Sequence, residues 1–329
     1  MKADAASPGA QSNAPRRDAA DLSCPLCRSR EAAEILRSHN GYGIMRCLEC
    51  GLAYTDDRKA PSAHTLYPVT GQSGSRFAKK IGWMLKLFLR QRKQFVRRLK
   101  PGGRLLDFGC GNGTFAMLMS RAGFEAVGIE PFSLGATITA ERLQLIQAPW
   151  EQVESSLGTF DVITLWQVLE HLPRPVDVLQ RLTPHLAPGG VMVVSVPNFS
   201  SLQSTMFGGS WFHLDPPRHL SHFEDATLER CLHRAGLMPV AHTRFLPEYG
   251  CSGWVQSSLN AVLPHTNYLY ELVKDRGALH GLSSASSALH LAGSLALAPP
   301  LLALSLPVEA LASAAQREAV LTVAARRTV

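Results

Sequence analysis

Residues 105–115 read LLDFGCGNGTF, and no other stretch constrains the fold of this chain as tightly. Leu105, Leu106 and Phe108 make an apolar strand, interrupted near its end by Asp107. Gly109, Gly111 and Gly113 then form a turn nearly free of side chains, ahead of a helix start. Backbone without Cβ atoms takes positive φ and lets a ligand approach closely. Strand, glycine turn and helix start together make a nucleotide-type cradle. The spacing is GxGxG with an acid before it, not the GxGxxG that grips a pyrophosphate. Asp107 disfavours an anion at that position and favours a ligand carrying a cationic amino group.

The next strand sharpens this. Residues 125–131 read EAVGIEP, and Glu130 closes a short apolar run. An acid about 20 residues past the glycines is placed to accept both ribose hydroxyls. Glycine turn and ribose acid together predict an adenosine ligand. The absent diphosphate pattern and the early Asp107 point to S-adenosylmethionine rather than a nicotinamide dinucleotide. The bland alternative is a tight turn followed by a solvated acid.

Apolar strands alternate with helical segments from about residue 103 to 198, the pattern of a doubly wound parallel sheet. Residues 160–175 read FDVITLWQVLEHLPRP. A buried strand, Phe160 to Leu165, is expected, with Trp166, Gln167, Glu170 and His171 at its carboxyl end, where such sheets bind ligands. Pro173 suits the first turn of the next helix, whose apolar stripe is Val176, Leu179 and Leu182. Residues 186–198 predict a Pro-Gly-Gly turn, a buried strand and then Pro197-Asn198. Leu237 to Leu246 and Ala319 to Arg326 read as two closing strands.

With these residues in place, the chain resembles class I S-adenosylmethionine-dependent methyltransferases. Within that group it is similar to bacterial members with an N-terminal zinc-binding module and the strings LEHLP and DPPRHL. The resemblance spans roughly residues 22–245 and the last strand. It implies a Rossmann-like, seven-stranded, doubly wound α/β sheet with a small N-terminal zinc ribbon. It also implies that Asp107, Gly109, Gly111 and Gly113 hold the methionine part and that Glu130 binds the ribose. Residues near Ala148 would flank the adenine, and Trp166 and Gln167 would line the cofactor. Where many relatives have Gly-Asp, this chain has Ala148-Pro149. The WFHLDPPRHLSHF segment, 211–223, would cover the acceptor pocket. His219 or His222 could then act as base or orienting group, as could His171. The competing reading is structural: Arg218 paired with an acid and the histidines bonded to backbone.

The front of the chain carries a second strong signal. Cys24, Cys27, Cys47 and Cys50 form C-x2-C-x19-C-x2-C, the four-thiolate set of closed structural zinc. Paired CxxC turns in a chain of seven cysteines argue for metal in a reducing cytosol rather than disulfides. Cys110, Cys231 and Cys251 read as buried small hydrophobes. Residues 1–21 read as a disordered tail and not as a secretory signal, followed by the zinc module over 22–60.

Two further segments bear on partners. Residues 76–100 hold ten Lys or Arg and no acid. Phe77, Ile81, Met84, Leu85, Phe88, Phe95 and Leu99 recur at helical spacing there. A basic amphipathic linker over 72–100 is expected, either packed on the catalytic domain or facing an anionic surface. The methyltransferase domain would then occupy 101–248 and 317–329, interrupted by an apolar helical insertion over 249–316. From Gly277 to Val308 there is no Asp, Glu, Lys or Arg, and Pro299, Pro300 and Pro307 are expected to break the run. A pair of buried helices forming a lid or a homodimer face is one reading. A monotopic membrane patch is the other.

The expectation is a cytoplasmic enzyme, with peripheral contact to the inner membrane face as the alternative. It would carry S-adenosyl-L-methionine and structural Zn2+, and move a methyl group to a small-molecule, sugar, glycan or lipid-linked acceptor. No metal site beside the core is legible, so metal-independent transfer is expected. Nucleic acid is not an expected partner, since the positive charge concentrates in one helix and Trp166-Gln167-Val168-Leu169 stands where base methyltransferases carry an NPPY-like string. The alternative is a non-catalytic zinc-ribbon binding protein on the same fold, within a membrane or biosynthetic complex.

Overall fold

The computed structural model describes residues 22–61, 82–132, 140–274 and 285–328. The expected tail over 1–21 and the start of the basic linker, 72–81, lie outside the described residues. In chain order the strands are β1 (Ala32–Arg37), β2 (Gly43–Cys47), β3 (Ala53–Thr55), β4 (Arg104–Phe108), β5 (Glu125–Ile129), β6 (Leu143–Ile146), β7 (Phe160–Trp166), β8 (Leu186–Pro197), β9 (Ser221–His222), β10 (Leu237–His242) and β11 (Val320–Arg327). The α-helices are α1 (Gly82–Leu99), α2 (Thr114–Ser120), α3 (Trp150–Val153), α4 (Pro175–Leu182), α5 (Leu202–Phe207), α6 (Asp225–Arg234), α7 (Pro247–Val262), α8 (Tyr268–Lys274) and α9 (Ala285–Ala314).

Seven strands form one sheet in the order β6-β5-β4-β7-β8-β11-β10. The first five run parallel, and β11 lies antiparallel to both β8 and β10. This is the expected doubly wound α/β architecture, and the side-chain alternation explains it. Leu105, Val162 and Val193 point to one face, where they pack with Val96 of α1 and Phe115 and Met119 of α2. Leu106, Ile163 and Val194 point to the other, against Leu179 and Leu182 of α4 and Leu228 of α6. Strands apolar on both faces are those a sheet buries between two helical layers. The strand order reverses between β4 and β7, so the carboxyl ends of these two neighbours flank a crevice.

Two local expectations shift. The helix after β7 starts at Pro175, not Pro173, since Leu169–His171 first form a 3-10 turn. The Pro188-Gly189-Gly190 segment lies within β8 rather than before it, absorbed by a register shift against β7.

The cysteine module is a small antiparallel sheet of order β1-β2-β3-β9. Its fourth strand comes from the 211–223 segment: Ala53 pairs with His222 and Tyr54 with Ser221. The module is therefore built into the segment expected to cover the acceptor pocket.

The apolar insertion also differs from expectation. Helix α9 runs unbroken through Pro299, Pro300 and Pro307. Proline removes amide donors, but its φ near −65° is itself helical, and packing on α7 carries the chain onward. Nor is the helix buried: over Ala288–Ala314 only 11% of its most apolar window is covered. Its fixed point is Glu309, which is buried and accepts hydrogen bonds from Trp254 Nε1 (2.8 Å), the Ala319 amide (2.9 Å) and Gln203 Nε2 (3.2 Å).

Candidate active site

Asp107 stands one residue from the carboxyl end of β4 and is 2% exposed. The turn that follows uses left-handed backbone at Gly109 (φ 71°), Gly111 (φ 54°) and Gly113 (φ 74°). A Cβ at Gly109 would lie 2.6 Å from Val168 Cγ2, and one at Gly113 would lie 2.7 Å from Leu145 Cδ1. A Cβ at Gly111 would meet nothing within 4 Å, so there the glycine faces open space. Asn112 Oδ1 accepts from the Thr114 amide (3.2 Å) and hydroxyl (2.7 Å), which starts α2.

Glu130 follows β5 directly. Its carboxylate accepts from the Gly111 amide (3.0 Å) and the Phe132 amide (3.2 Å), tying the second acid to the middle of the glycine turn. Burial raises its pKa, and these two amides oppose that. Ala148 lies between β6 and α3, just past the strand that pairs with β5. Trp166 ends β7, nearly buried, with Phe115 edge-on to its ring at 5.3 Å. Gln167 has φ 56°, its amide bonded to the Ser195 carbonyl at 2.9 Å. All eight residues expected around the cofactor thus line the turn, or the carboxyl ends of β4, β5, β6 and β7.

The sequence reading missed Arg92. It belongs to the basic helix, yet its side chain is buried. Its guanidinium lies 5.0 Å from the Trp166 ring and 4.9 Å from that of Tyr249, and it pairs with Glu248 at 2.5 Å. The signal was present: 92 falls in register with Leu85, Leu89, Val96 and Leu99, a cation set in the apolar stripe. Burial pushes the Asp107 carboxyl up to about 7, while a hydrogen bond from Thr164 and the Arg92 charge pull it down and Glu130 adds to the rise.

A family model described as "Methyltransferase domain" matches residues 82–242, which contain the whole cradle, Arg92 and the strands from β4 to β10. Over this stretch, just under half of its length, the chain is similar to methyltransferase domains. The chain is 34% identical over 114 residues to the ubiquinone biosynthesis O-methyltransferase of Aliivibrio fischeri strain MJ11, covering 32% of this chain and 48% of that one. It is 37% identical over 105 residues to the enzyme of the same name from Vibrio cholerae strain O395, covering 30% and 43%. The matched region spans less than half the length of these relatives. Among solved structures, a SAM-dependent methyltransferase from Archaeoglobus fulgidus aligns at TM-score 0.46 and 18% identity, covering 74% of this chain and 94% of that one.

Beyond the residues expected around the cofactor, the fold gathers polar groups at the end of β7. Glu170 is fully buried, and His171 follows it. The 211–223 segment is stitched over both: the Leu220 amide donates to the Glu170 carbonyl (2.8 Å), and His171 Nδ1 bonds the Arg218 carbonyl (2.9 Å). His219 Nδ1 bonds the His213 carbonyl at 2.7 Å, and the rings of His171 and His219 meet edge to face at 4.6 Å. Arg218 pairs with Asp215 at 2.8 Å. Burial pushes the Glu170 acid up to about 8 and holds His219 well below its usual range. His222 is placed differently. It sits on β9 with Nε2 3.0 Å from Thr55 Oγ1, and burial pushes it down to about 3. Two of the three candidate histidines therefore meet beside Glu170, and the third faces the cysteine module.

In that module one ligand atom from each of Cys24, Cys27, Cys47 and Cys50 lies within 4.8 Å of the others. The pairs Cys24–Cys50 and Cys27–Cys47 are each 3.4 Å apart. Zinc–sulfur bonds near 2.3 Å imply tetrahedron edges of roughly 3.8 Å, so the four sulfurs fit one ion.

Proposed function

We propose that this protein transfers the methyl group of S-adenosylmethionine to a small-molecule acceptor. The observation that carries the reading is the open glycine turn, held between Asp107 and Glu130 at the point where strand order reverses. Asp107 would face the methionine ammonium and Glu130 the ribose. Ala148 would border the adenine, and Trp166 and Gln167 the sulfur side. The sulfonium methyl is already electrophilic, so the protein must chiefly hold the acceptor in line with the methyl–sulfur bond, which supplies several kcal/mol. A hydroxyl acceptor must also lose a proton. Glu170, His171 and His219 are the groups gathered for that, worth roughly 10²–10⁴-fold. His222 we assign to joining β9 to the module.

The four cysteines would hold one structural zinc, with no coordination position open to chemistry. The uncovered leucines of α9, such as Leu289, Leu304 and Leu311, support a lipid-linked acceptor met at a membrane face. Binding to anionic liposomes at low salt tests this second point. If the protein ignores them, the lipid-linked reading falls.

Calorimetric titration with S-adenosylmethionine tests the main reading, followed by labelled-methyl transfer into fractionated small-molecule extracts. Saturable binding with label transfer is expected. A folded protein that binds no S-adenosylmethionine would instead fit the non-catalytic alternative.

A further inference from the structure

Neither carboxylate oxygen of Glu170 receives a hydrogen bond from another residue among those described, although the side chain is fully buried. Leaving a buried acid unmatched is costly to the fold. Around it stand two oriented imidazoles. A carbonyl oxygen only accepts, so the bonds to Arg218 and His213 place the protons on Nδ1 of His171 and of His219. In the neutral rings the lone pair is then on Nε2. Metal-binding histidines are typically fixed this way, with the far nitrogen donating to a carbonyl or carboxylate. One ligand atom from each of Glu170, His171 and His219 lies within 4.8 Å of the others. Asp215 Oδ2 approaches His219 Nε2 at 3.9 Å.

The geometry points to a second metal site, separate from the four cysteines, in which Glu170, His171 and His219 bind a divalent first-row transition ion. Two imidazole nitrogens and one carboxylate suit Mn, Fe(II), Co or Zn and leave positions open. Bonds of about 2.1 Å place donors roughly 3–4 Å apart, so the three side chains need draw in by only about an ångström. Such a site would run against the expectation of metal-independent transfer. His219 lies 48 residues after His171, and only the fold over 211–223 brings them together. An ion with open positions would take an acceptor through an oxygen donor and favour its deprotonated form. That role rests on the methyltransferase reading; the binding of the ion does not.

The test uses the full chain as purified. Metal content is measured first. MnCl2 is then added, and bound Mn2+ is counted from the loss of the free-ion electron paramagnetic resonance signal. Manganese favours oxygen and nitrogen donors over thiolates, so it does not report on the cysteine module. Metal found at purification plus Mn2+ bound should total two ions per chain. Glu170→Gln and His219→Gln should each total one, with Mn2+ affinity lowered by roughly 100-fold or more. Cys27→Ala should still bind one Mn2+ ion, its affinity softened only as far as the 219–223 segment loosens. Melting curves check that each variant folds, and should Glu170→Gln fail to fold, His171→Asn carries the same decision. Equal totals in wild type and folded variants would overturn the site. Two ions bound without any S-adenosylmethionine binding would keep the site and sink the methyltransferase reading instead.

Discussion

Thr164 Oγ1 donates to Asp107 Oδ1 at 2.8 Å, between residues that face each other across the parallel pair β4 and β7. The bond joins the two strands whose ends flank the crevice, and it holds the acid that heads the glycine turn. It only partly offsets burial, which leaves the Asp107 carboxyl near 7. Cofactor affinity and fold stability therefore both depend on pH, in opposite senses. An ammonium ligand needs the carboxylate. Affinity for S-adenosylmethionine should fall by about tenfold from pH 8 to pH 6, with proton release on binding near pH 7, measurable by calorimetry in buffers of different ionisation enthalpy. Without ligand the sign reverses. The carboxyl titrates near 7 when folded and near 3.8 otherwise, so its contribution to stability is complete below about 4 and is lost as pH rises through 7. Asp107→Asn should therefore bind the cofactor poorly. Yet in urea melts it should exceed wild type by a few kcal/mol at pH 8 and match it at pH 3.5.

Arg92 controls the same acid from the other side. Its charge lowers the Asp107 pKa and its guanidinium covers Trp166. Arg92→Met should move the midpoint of the pH-dependent binding upward. It also leaves Glu248 half-buried without its partner, at a cost of about 3–5 kcal/mol. Pairing it with Glu248→Gln should recover much of that stability but not the shifted midpoint. A double variant with the wild-type midpoint would show that Arg92 only packs.

The three glycines should separate into two kinds. Gly113→Ala sets a methyl 2.7 Å from Leu145 in a left-handed conformation, so melting temperature and binding should fall together. Gly111→Ala meets no atom within 4 Å, so its stability cost should be near the 1–2 kcal/mol of the backbone alone. Its binding loss should nevertheless exceed tenfold, because the open space in front of it is where the ligand must lie. Comparing the two variants by melting and calorimetry separates the cradle from the scaffold.

How much of this was legible depended on distance along the chain. Asp107, the glycines and Glu130 fall within one strand-turn-helix-strand unit, so local spacing is enough to set them at the strand ends and in the turn. The cysteine pairs were legible for the same reason. Arg92 was visible only as an oddity, a cation in an apolar stripe, because its partners Glu248 and Tyr249 lie more than 150 residues away. The meeting of Glu170 with His219 and the pairing of β3 with β9 are tertiary. The unbroken course of α9 was missed because three prolines argue locally for breaks, while Glu309 and the α7 surface argue otherwise from afar.

The β3–β9 pairing yields the last prediction. Thr55 Oγ1 donates to the His219 carbonyl at 2.6 Å and meets His222 Nε2 at 3.0 Å. The cysteine module is thus bonded directly to the segment that carries His219, while the cofactor cradle is built from β4, β5 and β7. Taking away one of the four thiolates by Cys27→Ala should loosen the first and spare the second. Small sheets closed by zinc depend on the ion for folding energy. Hydrogen exchange should therefore quicken together across residues 43–55 and 219–223, and remain slow in β4 and β5. Affinity for S-adenosylmethionine should stay within about twofold, whereas Mn2+ affinity should soften only as far as His219 loses its fixed orientation. Quickened exchange confined to the module, with 219–223 unchanged, would mean that β9 is held by the catalytic domain alone.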